Sequence, residues 1–356
     1  MSTDTTGESS TTPMRPGMEL DVGRLDAFLR EHVAGYRGPL EVRQFKGGQS
    51  NPTYLLLTPE RRYVLRRKPP GRLLASAHAV DREYRVMTAL AAHTEVPVAR
   101  TLALCTDDSV LGTWFYVMEH VEGRIFWDPS LPDVPAAERA LYFDALNSAL
   151  AALHRVDPER AGLSDFGPSG GYLARQIARW SKQYAEDEAA GRIPAMERLI
   201  EWLPVHLPRE QAVTITHGDF RFDNVIFDPR EPRVRAILDW ELSTLGDPLA
   251  DFAYHLLMYR LPTLTRPTLR DRDLATLGIP SESEYVAQYC RRTGRDGIPD
   301  LDYYLAFCMF RLAGIFHGIR GRVARGNAVS AQAREYARLA DTVAEAAWAQ
   351  AQRAGA

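Results

Sequence analysis

Asp219, Asn224 and Asp239 have the residue types and the spacing that phosphoryl transfer uses. They sit in Thr216-His217-Gly218-Asp219-Phe220-Arg221-Phe222-Asp223-Asn224 and in Leu238-Asp239-Trp240-Glu241. One carboxylate, here Asp219, orients and deprotonates an acceptor hydroxyl, while an amide and a second carboxylate, Asn224 and Asp239, hold Mg²⁺ on nucleotide phosphates. Taken singly, an Asp after a Gly is a turn residue and an Asn before a strand is a cap. The chain between them argues for more. Residues 225–227 and 234–238 read as short strands around the turn Asp228-Pro229-Arg230-Glu231-Pro232. Antiparallel pairing about that turn sets Asn224 beside Asp239, placed to share one metal ion. His217 lies between a strand over 213–216 and a turn, and is assigned to bonding backbone and shaping the loop. Glu241 either assists the metal or faces solvent.

His217-Gly218-Asp219 with Asn224, then Ile237-Leu238-Asp239-Trp240-Glu241, then Gly246-Asp247-Pro248-Leu249-Ala250-Asp251, resemble the aminoglycoside phosphotransferase and choline kinase superfamily. Within it, the stretches Gly47-Gly48-Gln49-Ser50-Asn51-Pro52-Thr53-Tyr54 and Tyr63-Val64-Leu65-Arg66-Arg67-Lys68 are most similar to the kinase-like domain attached to some acyl-CoA dehydrogenase family members. The resemblance implies an α+β, bilobal, protein-kinase-like fold with a strand-rich N-lobe and a mainly helical C-lobe. It implies ATP and Mg²⁺ as cofactors and a hydroxyl of a small molecule as acceptor. It implies that Arg66 takes the place of the lysine that holds the α- and β-phosphates in better-known kinases, with Arg67 and Lys68 as neighbouring alternatives. Asp251 would support the catalytic loop by accepting its backbone hydrogen bonds, or begin a helix from Pro248 to Tyr259.

The elements that must position these residues are legible from periodicity. A helix is expected over 20–31, with Leu25, Phe28 and Leu29 inward, then strands over 40–45, 53–58 and 62–67. The Gly47-Gly48 turn lets backbone N–H groups approach phosphate oxygens, and Ser50 and Asn51 add donors. Alternation on the third strand puts Val64 and Arg66 on one face and Tyr63 and Leu65 on the other, and the resemblance then implies that Val64 lies against the adenine. A helix over 77–92 carries Val80, Tyr84 and Met87 as an apolar stripe, with Glu83 on that inward side. A buried carboxylate needs a cation, and Arg66 is the candidate. Strands over 101–106 and 113–119 flank a turn at 107–109, and Glu119 to Val121 form the hinge whose backbone reads the adenine edge. Helices follow over 136–156, 171–190 and 196–203. The expected division is a disordered tail at 1–18, an N-lobe at 19–120 that binds nucleotide, and a C-lobe at 121–356 for catalysis and substrate.

Composition sets limits. A chain of 356 residues, 45% hydrophobic and 25% charged, suits a soluble enzyme with two cores. A net charge of −3 gives no reason to expect a nucleic acid partner. Cys105, Cys290 and Cys308 are scattered, which predicts buried thiols in a reducing cytoplasm. The Ser- and Thr-rich start lacks the apolar core of a secretory signal, and no apolar run approaches the roughly 18 residues that span a bilayer. For the acceptor, Arg291, Arg292, Arg295, Arg311, Arg320, Arg322, Arg325, Arg334 and Arg338 outnumber nearby acids, which favours an anionic substrate. The run 303–319 adds Phe307, Met309, Phe310 and Phe316, as an acyl pocket would. A hydroxyacyl-CoA fits both traits. The alternatives are an aminoglycoside O-phosphotransferase and a nucleotide-binding pseudokinase.

Overall fold

Period-two alternation before residue 120 and helical periodicity after residue 135 produce two units of different character. A computed structural model describes residues 3–6, 10–46, 51–69, 79–209, 211, 213–328 and 330–356. One unit comprises Met1–Phe126, Glu159–Leu163 and Phe222–Ser243, and the other Trp127–Pro158, Ser164–Arg221 and Thr244–Ala356.

The first unit begins with β1 (Thr3–Thr5), β2 (Thr11–Thr12), α1 (Val22–His32), β3 (Glu41–Phe45), β4 (Thr53–Leu57) and β5 (Arg62–Arg67). It continues with α2 (Val80–His93), β6 (Thr101–Cys105), the one-turn α3 (Asp108–Leu111), β7 (Phe115–Glu119) and β8 (Arg124–Phe126). A six-stranded antiparallel sheet runs β2-β3-β4-β5-β7-β6. Its register sets Arg66 opposite Thr53 and Tyr116, and Val64 opposite Leu55 and Met118. Strand alternation works as expected. Tyr63 and Leu65 join Leu25, Phe28, Leu29, Tyr54 and Val117 in one buried cluster, which holds α1 against the sheet. Each fully buried side chain of this size contributes about 1.5–3 kcal/mol. α1 starts at Asp21, whose carboxylate accepts the Arg24 amide at 3.0 Å.

Two local expectations are corrected. The start of the chain, expected as a disordered tail, places β1 antiparallel to β8, with Thr3 opposite Phe126, and β2 antiparallel to β3. Without apolar residues these strands carry no burial signal, so their order comes from backbone pairing to strands supplied elsewhere in the unit. The turn at 107–109 winds into α3, capped by the Asp107 carboxylate on the Ser109 amide at 2.8 Å.

The second unit holds α4 (Ala136–His154), α5 (Tyr172–Glu186), α6 (Pro194–Trp202) and β9 (Thr214–Thr216). The chain then gives β10 (Val225–Phe227) and β11 (Val234–Ile237) to the first unit, where the sheet order is β1-β8-β10-β11. It resumes the second unit with β12 (Thr244–Gly246), α7 (Pro248–Arg260), α8 (Leu274–Leu277), α9 (Glu282–Thr293), α10 (Leu301–Ala324) and α11 (Ala331–Arg353). β12 pairs β9, with Thr244 opposite Thr216. α10 packs against α11, α7 and α5, and this surround explains a further correction. Phe307, Met309, Phe310 and Phe316 are core residues, at most 7% exposed, and line no acyl pocket.

Candidate active site

β9 feeds residues 217–221, and α7 fixes them. Gly218 has φ of +83°, a conformation that strains any residue with a Cβ. α7 begins with Pro248 in its first turn and Asp247 capping the Leu249 amide at 2.8 Å. Four residues on from Asp247, Asp251 accepts the His217 amide at 2.7 Å and the Gly218 amide at 2.8 Å. His154 Nε2 lies 3.1 Å from the same carboxylate, and its Nδ1 is 2.7 Å from the Tyr289 hydroxyl. Burial alone would raise the Asp251 carboxyl, but His154 and the His217 amide hold it below its ordinary value. His255 Nδ1 meets the Phe220 carbonyl at 3.3 Å, and its Nε2 meets the Tyr285 hydroxyl at 2.8 Å. Burial pushes this imidazole down to about 4.

Asp219 is held by its side chain as well as by its backbone. Its Oδ1 accepts the Tyr254 hydroxyl at 2.6 Å, and Arg221 Nε is 3.4 Å from the same oxygen. The Asp219 amide donates to His217 Nδ1 at 3.2 Å, so His217 shapes the loop as expected. From α10, the buried Arg311 donates to the Gly218 carbonyl and stands 4.8 Å over the Tyr254 ring. Burial opposes its charge, yet the Tyr172 and Tyr254 phenols raise its pKa. Sequence reasoning placed Asp251 but missed Tyr254. Its signal was available, since Asp251, Tyr254 and His255 recur at helical spacing.

Asn224 and Asp239, the candidate metal pair, lie in the first unit. β10 and β11 set Val225 opposite Ile237, and the Leu238 amide closes the ladder on the Asn224 carbonyl at 2.8 Å. Asn224 and Asp239 therefore flank one end of the hairpin, as their spacing implied. Asp239 has φ of +63°, a left-handed conformation that Asp tolerates better than most residues. Buried Trp240 anchors the turn through Nε1 on the Ile237 carbonyl at 3.0 Å. An amide and a carboxylate are the hard oxygen donors that suit Mg²⁺.

Asp239 Oδ1 also accepts Arg66 Nη2 at 2.9 Å, and Arg66 Nε is 3.1 Å from Glu83 Oε2. The expected Arg66–Glu83 pair is present, with Glu83 1% exposed. Burial raises the Glu83 carboxyl, while for Arg66 the Glu83 charge outweighs burial and raises the guanidinium pKa. Two partners complete the site. Tyr116 donates to Glu83 Oε2 at 3.0 Å and Asn51 Nδ2 to Oε1 at 2.7 Å. Asn51, expected to donate to phosphate, instead directs its amide at this carboxylate. The stripe that buries Glu83 is Val80, Val86, Met87 and Leu90, and Tyr84 is only partly covered. Val64 is buried on the Arg66 face. Gly47, Gly48 and Ser50 lie outside the described residues.

At the expected hinge, Glu119 ends β7 with a half-exposed side chain 3.9 Å from Arg100. Val121 meets a residue that the sequence did not suggest. Thr6 donates its hydroxyl to the Val121 carbonyl at 2.8 Å and accepts the Gly123 amide at 3.0 Å, while its own amide bonds the Gly123 carbonyl at 3.2 Å. His120 Nε2 is 2.5 Å from the Thr6 carbonyl.

Part of the arginine excess in the C-terminal helices is taken up by contacts within the chain. Arg292 reaches Asp144 at 2.6 Å, Arg325 reaches Asp187 at 2.5 Å, Arg320 pairs with Asp341, and Arg295 donates to Gln211 at 2.8 Å. Arg292, Arg320 and Arg325 thus direct their charge at carboxylates of the chain, which weakens the charge argument for an anionic acceptor. All three cysteines are buried and free. Among the described residues, no helix is long and apolar enough to cross a membrane.

Comparison with known proteins identifies the family. The sequence model of the phosphotransferase enzyme family matches residues 41–289. Acyl-CoA dehydrogenase family member 10 of Mus musculus is 46% identical over 346 residues, which cover 96% of this chain and 32% of that protein. The chain thus spans about a third of that relative's length. A solved protein of Ralstonia eutropha JMP134, named as a candidate aminoglycoside phosphotransferase, superimposes with a TM-score of 0.87 at 49% identity, covering 94% of this chain and 99% of that one. Choline kinase of Cryptosporidium parvum Iowa II shares the fold alone, with a TM-score of 0.64 at 11% identity over 94% of this chain and 96% of that one. The chain belongs to the phosphotransferase enzyme family, with the kinase-like α+β fold and with sequence similarity to part of the acyl-CoA dehydrogenase family members.

Proposed function

We propose that this chain is an ATP- and Mg²⁺-dependent phosphotransferase acting on a hydroxyl of a small acyl-type molecule, such as a hydroxyacyl-CoA. The observation that carries the reaction type is Asp219, whose carboxylate is fixed by Tyr254 and Arg221 on a backbone fixed by Asp251. Asp219 would orient the acceptor hydroxyl and take its proton as the new O–P bond forms, with ADP as the leaving group. Asn224 and Asp239 would hold Mg²⁺, which neutralises charge on the phosphate oxygens when bound. Arg66, kept charged by Glu83, would bind the α- and β-phosphates. Val64 would lie against the adenine, the backbone of 119–121 would read its edge, and Gly47, Gly48 and Ser50 would cover the phosphates.

The acceptor class rests on kinship rather than on charge. The similarity to acyl-CoA dehydrogenase family member 10 covers 96% of the chain and favours an acyl substrate. The 49% identity to the Ralstonia eutropha protein keeps an aminoglycoside as the second reading. Three buried free thiols fit the reducing cytoplasm that we assign to the chain.

The test is mass-spectrometric transfer from Mg-ATP to a panel of hydroxyacyl-CoAs, free hydroxy acids, aminoglycosides, choline and sugars. Asp219→Ala is expected to lower turnover about 10²- to 10⁴-fold while nucleotide affinity is retained. Undiminished turnover in that variant would sink the role of Asp219. Transfer to aminoglycosides alone would promote the second reading, and nucleotide binding without any transfer would make the chain a pseudokinase.

A further inference from the structure

One face of α7 grips four consecutive residues. Asp251 takes the amides of His217 and Gly218, His255 takes the carbonyl of Phe220, and between them Tyr254 takes the side chain of Asp219. Positions three and four apart on a helix project together, so one rigid element sets both the backbone of the loop and the direction of its carboxylate. The Tyr254 to Asp219 distance of 2.6 Å is that of a charge-assisted O–H···O⁻ bond. Tyr254 is 9% exposed and has little room to turn away. Behind it, Arg311 covers the ring and donates to the carbonyl of Gly218, the residue that precedes Asp219. A buried guanidinium ordinarily faces a carboxylate. Here it contacts a ring face and a carbonyl, both part of the support around Asp219.

We propose that Tyr254 is a positioning residue for phosphoryl transfer and that Arg311 is its clamp, together fixing the Asp219 carboxylate toward the acceptor hydroxyl. The proposal rests on the reading of Asp219 as the catalytic carboxylate. Without the phenol hydroxyl, the carboxylate gains rotamers that point it away from the reacting oxygen. Misplacement of a reacting group by an ångström costs up to about 10²-fold in rate. The loss falls on the chemical step, because neither Tyr254 nor Arg311 is needed to hold nucleotide in this arrangement.

The experiment compares wild type, Tyr254→Phe, Arg311→Met, the double variant and Asp219→Ala. It measures kcat and KM for transfer from Mg-ATP to the acceptor found in the panel, or to water where no acceptor responds, with thermal melting of each protein. Tyr254→Phe keeps the ring and its packing, so it tests the hydroxyl even where Arg311→Met fails to fold. The expected result is a fall in kcat of about 10- to 100-fold in Tyr254→Phe, with KM for ATP unchanged. Its melting temperature should fall by no more than the few degrees that loss of one charge-assisted hydrogen bond brings, so that the protein stays folded at the assay temperature. The double variant should be no slower than the slower single variant, because both act through one contact. An inactive Asp219→Ala beside a Tyr254→Phe of wild-type kcat overturns this proposal alone. So does a Tyr254→Phe that loses activity only in step with its melting temperature. Turnover that survives in Asp219→Ala, or no turnover in wild type, removes the catalytic reading and this proposal with it.

Discussion

Glu83 shows how far residue-level reasoning reaches. An acid on the inward side of an amphipathic helix demands a cation, and Arg66 on the neighbouring strand supplies it at 3.1 Å. Reasoning from charge did not suggest that a carboxylate so deeply buried also needs neutral donors. Tyr116 and Asn51 fill that need. Glu83→Ala should therefore cost about 3–5 kcal/mol in denaturant unfolding, because it leaves the Arg66 charge buried with one carboxylate instead of two. Glu83→Gln keeps the hydrogen-bonding volume and should cost less. A Glu83→Ala protein within about 0.5 kcal/mol of wild type would show that the pair contributes nothing. Arg66→Lys should weaken nucleotide binding, since one ammonium cannot span Glu83 and Asp239 as the guanidinium fork does. Calorimetric titration with an ATP analogue measures this directly.

Elements were the most legible level where the chain carries apolar periodicity. The third strand fell at residues 62–67 as expected, and the hairpin of β10 and β11 closed where Pro and charge marked its turn. Periodicity failed where side chains do not choose the structure. β1 and β2 contain no hydrophobic residue, and backbone pairing with β8 and β3 holds them. Thr6 then ties this segment to the backbone of Val121 and Gly123. Thr6→Val keeps the shape but removes the acceptor for the Gly123 amide. Native-state exchange of that amide should speed up about tenfold, the factor that matches loss of one ordinary hydrogen bond. An unchanged rate would mean that the Gly123 amide does not depend on Thr6.

Acid sensitivity belongs to the whole molecule, because it adds over every buried titratable group. His255 has its folded value lowered from 6.5 to about 4 by burial. Between those values the unfolded chain binds a proton that the folded chain refuses, so stability is complete above about pH 6.5 and falls as pH drops toward 4. The full loss from this residue is about 3 kcal/mol. Asp251 works at lower pH. Its folded value is depressed below 3.8, so its contribution is present above that pH and is lost as pH falls through the folded value. Denaturant unfolding at pH 7 and pH 4.5 should show the decline, and His255→Gln should flatten it. An equal decline in that variant would assign the acid sensitivity to other groups.

The sequence by itself carried the family and the fold class and marked Asp219, Asn224 and Asp239 as candidates for the chemistry, because these readings depend on short spacings and local periodicity. Asp219 stands five residues before Asn224, and one hairpin separates Asn224 from Asp239. Tertiary structure alone decided which partners hold those residues. Tyr254 meets Asp219 across 35 residues and Arg66 meets Asp239 across 173. It also placed Arg292 and Arg325 in ion pairs and Phe307, Met309, Phe310 and Phe316 in the core. Spacing along a chain fixes what a helix turn or a hairpin brings together. Burial and pairing between distant segments follow from sheet register and helix packing, which no local pattern encodes.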